Sequence, residues 1–282
     1  MLRSGVRTLK AGDETGLRQL CQRDPVSSVF LTSRLQYARW RLGGLGGRVI
    51  GYFDSGELIS ACWLGSNTIP VQVSDYTAPL LAEEAAKGPR RSSSIVGPAY
   101  QVKALWENLG AAWGPPREIR ADQPLMMIEG PPLVAPDPLV SAATLADEAL
   151  LLPASVSMFT EEVGYSPLGP DGGGTYRQRV RELLGRGHTL ARFTGAPHRS
   201  VLFKADLGAV TRQTVQIQGV WVDPRYRGQG LSAPGMASVV EYCYRLGIPS
   251  ASLYVNSFNT RALAAYRRVG FRKVGSFATV LF

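Results

Sequence analysis

The stretch Val220–Phe271 holds the residues whose types and spacing could do chemistry. It opens Val220-Trp221-Val222-Asp223-Pro224-Arg225-Tyr226-Arg227-Gly228-Gln229-Gly230-Leu231-Ser232, an apolar strand running into an Arg/Gly-rich loop. An amphipathic segment, Pro234–Leu246, follows it. A strand, a glycine loop and a helix start in sequence make an anion site from main-chain N–H groups. The glycines let a phosphate approach the backbone, and the helix N-terminus adds favourable partial charge. The ligand so implied is a pyrophosphate. A P-loop would need Lys-Ser/Thr after its last glycine, and none is present. A dinucleotide fingerprint belongs on the first strand of a βαβ unit, with an acid about 20 residues on. Here the loop comes late, and the only acid near that distance is Glu241.

After the loop come a second strand, Ala251–Val255, then Asn259, Tyr266 and the pair Gly270-Phe271. Loop and sequel together resemble the GNAT superfamily of acyl-CoA N-acyltransferases, over roughly residues 140–282. The family pattern, Arg/Gln-x-x-Gly-x-Gly/Ala after a strand ending in Val-x-Pro, falls on Arg227, Gly230 and Ser232. Ser232 stands where Gly or Ala is usual. Arg225-x-x-Gly228-x-Gly230 also fits the letters, but the first register keeps the distance from Asp223-Pro224.

The resemblance implies an acetyl-CoA or other acyl-CoA co-substrate and an amine acceptor. It places the main chain of Val220 and Val222 along pantetheine, in a V between two splayed strands. The N–H groups of Gly228, Gln229, Gly230, Leu231 and Ser232 face the pyrophosphate, with Arg227 beside them, and Asn259 also serves the coenzyme. Tyr266 becomes the proton donor to the departing thiolate; a phenol with pKa about 10 is protonated at neutral pH. A lone tyrosine on an amphipathic helix would otherwise read as core. Family members often carry a carboxylate on a splayed strand, but here those strands offer Gln216, Gln218 and Tyr254. Glu161 and Glu162, at the end of a helix expected to border the acceptor cleft, are the candidates for binding the amine or acting on it through water. A solvated acidic helix end is the plainer reading of both.

The elements that must position these residues suggest an α/β protein with a mixed sheet. We expect a GNAT fold at 139–282, a degenerate GNAT-like domain without a coenzyme site at 1–129, and a stiff Pro-rich linker at 130–138. Val6–Lys10 is a strand candidate with Asp13-Glu14 opening a helix; Leu139–Leu145 and Asp147-Glu148 repeat this 134 residues later. Arg48–Phe53 and Leu58–Leu64 flank Asp54-Ser55-Gly56-Glu57, a hairpin signature. Then come a strand at Ser93–Val96, a helix at Val102–Leu109 and a strand region at Glu118–Ile128. Gly97-Pro98 stands where a glycine loop would follow the strand. In the second half, a helix at Ala146–Phe159 precedes the turn Asp171-Gly172-Gly173-Gly174 and a helix at Tyr176–Leu184. A hairpin, Thr189–Phe193 and Val201–Ala205, turns at Gly195-Ala196-Pro197, and Thr214–Val222 is the central strand.

Composition sets the bounds. The chain has 282 residues and a formal net charge of +9. Residues 1–150 hold 15 basic and 15 acidic side chains, so the whole excess lies in residues 151–282. Between Arg225 and Lys273 eight basic residues face one acid, Glu241. Such a field draws an anionic partner. Coenzyme A suffices; nucleic acid is not the expected partner, since no nucleic-acid module appears. Three scattered cysteines, Cys21, Cys62 and Cys243, suit a reducing cytoplasm rather than a disulfide framework or a zinc site. His188 and His198 make no metal site. No apolar run approaches a membrane span, and no signal-peptide core is visible at the N-terminus.

The expected function is therefore transfer of an acetyl or short acyl group to a primary amine on a small molecule, a peptide N-terminus or a lysine. A non-enzymatic acyl-CoA-binding regulator and acylation of an RNA-borne amine are the alternatives.

Overall fold

The structure, a computed structural model, describes residues 4–169, 172–195 and 197–282. Asp171 and Ala196, in two of the expected turns, lie outside the described residues.

Two compact units divide the chain. The first runs to Leu125 and takes in Tyr254–Asn259 and Lys273–Phe282; the second is Met126–Leu253 with Thr260–Arg272. The element order β-α-α-β-β-β-α-β-α-β runs twice. Its first pass is β1 (Gly5–Thr8), α1 (Glu14–Gln22), α2 (Val29–Tyr37), β2 (Arg48–Asp54), β3 (Glu57–Leu64), β4 (Thr68–Val71), α3 (Thr77–Ala86), β5 (Ser94–Pro98), α4 (Ala99–Trp113) and β6 (Glu118–Glu129). Its second is β7 (Ser141–Ala142), α5 (Glu148–Val163), α6 (Gly174–Gly185), β8 (Thr189–Phe193), β9 (Val201–Val210), β10 (Val215–Val222), α7 (Ser232–Arg245), β11 (Ser250–Tyr254), α8 (Thr260–Val269) and β12 (Arg272–Leu281). The acidic pairs 134 residues apart open α1 and α5, so the faint sequence repeat marks a real one. The strand expected at Leu139–Leu145 shrinks to the two residues of β7, because Thr144 and Asp147 cap each other reciprocally and start a helical turn.

In the first unit β1, β2, β3 and β4 pair antiparallel in sequence; β4 pairs parallel to β5, and β12 lies antiparallel beside β5. The β2–β3 turn places Ser55 at φ 49° and Gly56 at φ 89°, the left-handed pair that a two-residue hairpin needs. One core packs α1 and α2 on the sheet through Leu17, Leu31, Leu35 and Trp63. The other packs α3 and α4 on it through Leu81, Leu105, Leu109 and Ile95, joined by Ala278 and Val280 of β12. Nine of the ten residues of β12, all but Arg272, thus cluster with the first unit although they fall within the stretch 139–282 expected as the second domain.

Element order corrects one expectation. The segment corresponding to the glycine loop is Gln72–Tyr76, between β4 and α3, rather than Gly97-Pro98, which closes β5. It holds no glycine, and Gln72 takes the left-handed conformation at φ 55°.

In the second unit β7, β8, β9 and β10 are antiparallel, and β10 meets β11 in parallel. Leu151, Ala154, Val180, Leu184 and Trp221 form a core with α5 and α6. On α7 an added Cβ at Gly235 would lie 2.9 Å from the Phe203 ring, so helix and strand approach closely there. The 130–138 segment is docked rather than free. Leu133 N–H donates to Val269 O, Asp137 N–H to Pro234 O, and the Ser238 hydroxyl to Asp137 O. The Asp137 carboxylate is buried and accepts Arg192 Nη1 at 2.7 Å.

Candidate active site

The site begins where two parallel strands part. β10 and β11 pair only at Val215↔Ala251 and Gln216↔Ser252. Beyond Gln216 the β11 side of β10 runs unpaired in that register, and half-buried Val220 and Val222 lie along it. On its other side β10 keeps β9, with two irregularities: one between Gln216 and Ile217, and one beyond Gln218, which faces Asp206 while Trp221 faces Lys204. Three steps on β10 match two on β9, a bulge that leaves Gly219 and Val220 without partners in the register.

The loop follows directly. Asp223 is buried and accepts the Arg225 N–H at 2.9 Å and the Arg225 guanidinium at 2.6 Å. This folds Pro224–Tyr226 into a 3₁₀ turn. The Arg225 hydrogen bonds hold the Asp223 carboxyl below the usual carboxylate range. Gly228 and Gly230 sit at φ 80° and 79°, in the left-handed region that favours glycine. Nothing lies within 4 Å of a Cβ built on either, so the space beside them is open. Gln229 is exposed between them, and Leu231 and Ser232 lead into α7, a helix of 14 residues. Its N-terminus, two residues after Gly230, carries a partial positive charge that favours an anion. Arg227 is tied back by Nε to Val222 O at 3.0 Å and by Nη2 to Glu161 Oε2 at 2.6 Å.

Tyr266 lies on α8, with 6% of its surface exposed and its ring tilted against Phe271. Burial pushes its phenol well above the ordinary value, and the charge of Glu162 pushes the same way. Glu162 also raises Tyr176, whose main causes are burial and then Asp206. Glu162 is thus within electrostatic reach of both tyrosines. Its neighbour is differently engaged: Glu161 accepts Arg227 at Oε2 and the Trp221 indole N–H at Oε1, 3.2 Å away. The two adjacent carboxylates therefore differ in surroundings, a distinction the sequence does not show. Asn259 is the residue before α8 and belongs to the segment Tyr254–Asn259 of the first unit; its N–H donates to Asn256 O.

One feature of this region has no sequence signal. Lys204 and Asp206, two residues apart on β9, form a buried ion pair against the β10 bulge. All three cysteines are buried, and burial pushes the Cys21 thiol up to about 11 and that of Cys243 to about 12. Among the described residues no group of three His, Cys, Asp or Glu could hold a metal ion, and no helix is long and apolar enough to cross a membrane.

Known families and solved structures resemble this chain. The acetyltransferase (GNAT) family matches residues 177–271, and a domain of unknown function, DUF4081, matches residues 47–151. No curated protein matches the chain. A GCN5-related N-acetyltransferase from Sphaerobacter thermophilus is similar in structure, with TM-score 0.64 and 17% identity, over 100% of this chain and 96% of that one. A GNAT-family acetyltransferase from Colwellia psychrerythraea gives 0.58 and 12%, over 98% and 99%. A tandem GNAT protein from the clavulanic acid biosynthesis pathway gives 0.55 and 13%, over 99% and 98%. The GNAT family transfers acyl groups, with acetyl-CoA as co-substrate. Residues 177–271, which carry the parted strands, the glycine loop and Tyr266, are accordingly an acetyltransferase domain of the GNAT family, in a chain with the fold of GNAT acetyltransferases.

Proposed function

We propose that the protein moves an acetyl or short acyl group from coenzyme A to a primary amine at one site in the second unit. The observation that carries this is the uninterrupted run of open strand edge, left-handed glycines and helix start from Val220 to Ser232. In this reading the pyrophosphate sits on the N–H groups of Gly228–Ser232, with Arg227 as its cation. Pantetheine lies along Val220 and Val222. The N–H of Val220, at the bulge, meets the thioester carbonyl.

The amine attacks that carbonyl directly. Glu162 takes the amine proton, the tetrahedral intermediate collapses, and Tyr266 gives its proton to the departing thiolate. Burial suits Tyr266 to this task, since the raised phenol stays protonated at any working pH. Glu161 holds Arg227 in place and takes no part in proton transfer. The acceptor is a small molecule, a peptide N-terminus or a lysine.

The first unit carries no second coenzyme site in this reading. Its segment Gln72–Tyr76 lacks glycine and carries the acid Asp75, whose charge opposes a phosphate. Calorimetric titration of the full chain with acetyl-CoA should give a stoichiometry near one; two equivalent sites would refute the single-site assignment. A panel of amines and peptides, followed by coenzyme A release, then identifies the acceptor class.

The missing strand carboxylate favours a second reading, an acyl-CoA-binding regulator without turnover. Neither β10 nor β11 bears an acid. Coenzyme A release that depends on the Tyr266 hydroxyl decides between the two.

A further inference from the structure

Lys204 is wholly buried, with 0% of its surface exposed. Its ammonium donates to Asp206 Oδ2 at 2.6 Å and to the main-chain oxygen of Gly219 at 3.2 Å. Asp206 Oδ1 accepts the Thr189 hydroxyl at 2.8 Å. A cation, an anion and a neutral hydroxyl donor are thus linked in the core. Such a pair loses hydration on both ions, and apolar residues of the same volume commonly stabilise a fold as well or better. Packing alone does not call for it.

Its position does suggest a use. The carbonyl it holds belongs to the bulge of β10, and Gly219 is shaped to admit it. That residue sits at φ 60°, and a Cβ there would lie 2.6 Å from Asp206 Oδ2 and 3.2 Å from Lys204 Nζ. The oxygen of the 219–220 peptide takes the ammonium. In a trans peptide the N–H at the other end, on Val220, points the opposite way, away from Lys204. A carbonyl bonded to a cation draws electron density along its amide, so the N–H opposite becomes a stronger donor.

We propose that Lys204 is a positioning residue for acyl transfer. It fixes and polarises the 219–220 peptide, so that the Val220 N–H stabilises the negative charge that develops on the thioester oxygen. Asp206 keeps the ammonium aimed at Gly219 and balances its charge in the core. The inference rests on the coenzyme reading above.

Two double variants of the full chain test it. K204M/D206L replaces the pair by apolar groups and avoids stranding a single charge. K204Q/D206N keeps neutral hydrogen-bonding groups and removes the charge. Thermal melts establish that each is folded. The readout is the infrared band of the thioester carbonyl in isotope-labelled acetyl-CoA, free and bound, which needs no acceptor. The wild type should shift the band to lower frequency on binding. K204M/D206L should lose most of that shift, and K204Q/D206N part of it, while acetyl-CoA affinity stays within about threefold. With an acceptor in hand, kcat of K204M/D206L should fall roughly 10- to 100-fold with little change in KM, somewhat less than deletion of an oxyanion donor. An undiminished shift in either folded variant overturns the proposal, as does a wild-type band that binding leaves unmoved. If the wild type binds no acetyl-CoA, the coenzyme reading fails and takes this inference with it.

Discussion

Glu161 joins the glycine loop to the strand before it: one carboxylate oxygen lies 2.6 Å from Arg227 Nη2, and the other accepts the Trp221 indole 3.2 Å away. Glu162, one residue on, acts on Tyr266 and Tyr176 through its charge. Substitutions at the two should therefore part company. Glu162→Gln should lower kcat by roughly 10²–10⁴-fold, the range for a lost proton-transfer group. Glu161→Gln should leave kcat within a few-fold and alter mainly acetyl-CoA affinity. Its ion pair is half-exposed, so stability should change by no more than about 1 kcal/mol. Steady-state kinetics on both variants decides; equal losses would show that the roles are not divided.

Gly230→Asp should abolish acetyl-CoA binding and leave the fold intact. The residue is exposed, and no atom lies within 4 Å of an added Cβ. Its left-handed backbone costs a non-glycine residue about 1–2 kcal/mol, which a folded domain tolerates. The carboxylate would occupy the space proposed for phosphate and repel it. Calorimetry on the folded variant should show no heat of binding; retained affinity would move the pyrophosphate elsewhere.

Tyr266→Phe removes one hydroxyl and keeps the ring against Phe271, so melting and acetyl-CoA affinity should barely change. If the phenol protonates the leaving thiolate, kcat should drop by roughly 10²–10⁴-fold. An unaltered rate with a good acceptor would remove Tyr266 from the chemistry.

The same phenol predicts an alkaline limit to stability. Its folded pKa is raised above the ordinary phenol value of about 10, so below that pH both folded and unfolded chains hold the proton and stability is unaffected. Above it the unfolded chain releases a proton that the folded chain keeps. Unfolding is then favoured by up to roughly 1.4 kcal/mol per pH unit for each such tyrosine. Tyr176, raised mainly by burial, adds to the effect. Melts between neutral pH and strong alkali should show Tm falling above about pH 10, and Tyr266→Phe should flatten the fall. An identical slope in the variant would contradict the burial of the phenol.

What the sequence revealed depended on how local each feature is. The run from Val220 to Ser232 was legible because strand, glycines and helix start are contiguous. The hairpin at Asp54–Glu57 was legible for the same reason. α2, β4 and α3 were not: the turn Gln72–Tyr76 carries no glycine, and Gln72 adopts its left-handed backbone without the residue that usually announces one. The division between Glu161 and Glu162 was hidden because it is set by Arg227, 66 positions away. The Lys204–Asp206 pair was hidden too, because alternation along β9 gives no sign that a bulge on β10 will turn a carbonyl toward them.

The strand β12 has a consequence for how the protein is made. Thr279 donates to Gln123 across 156 positions of sequence, and Phe277–Leu281 pair with β5. The first unit reaches the solvent early in synthesis with its β5 edge bare, and that edge is filled only once residues up to Leu281 have left the ribosome. Completion of the first unit therefore waits for translation of the second. A chain stopped after Gly270 should lose the unit made first, and become prey to proteases there, before it loses the glycine loop.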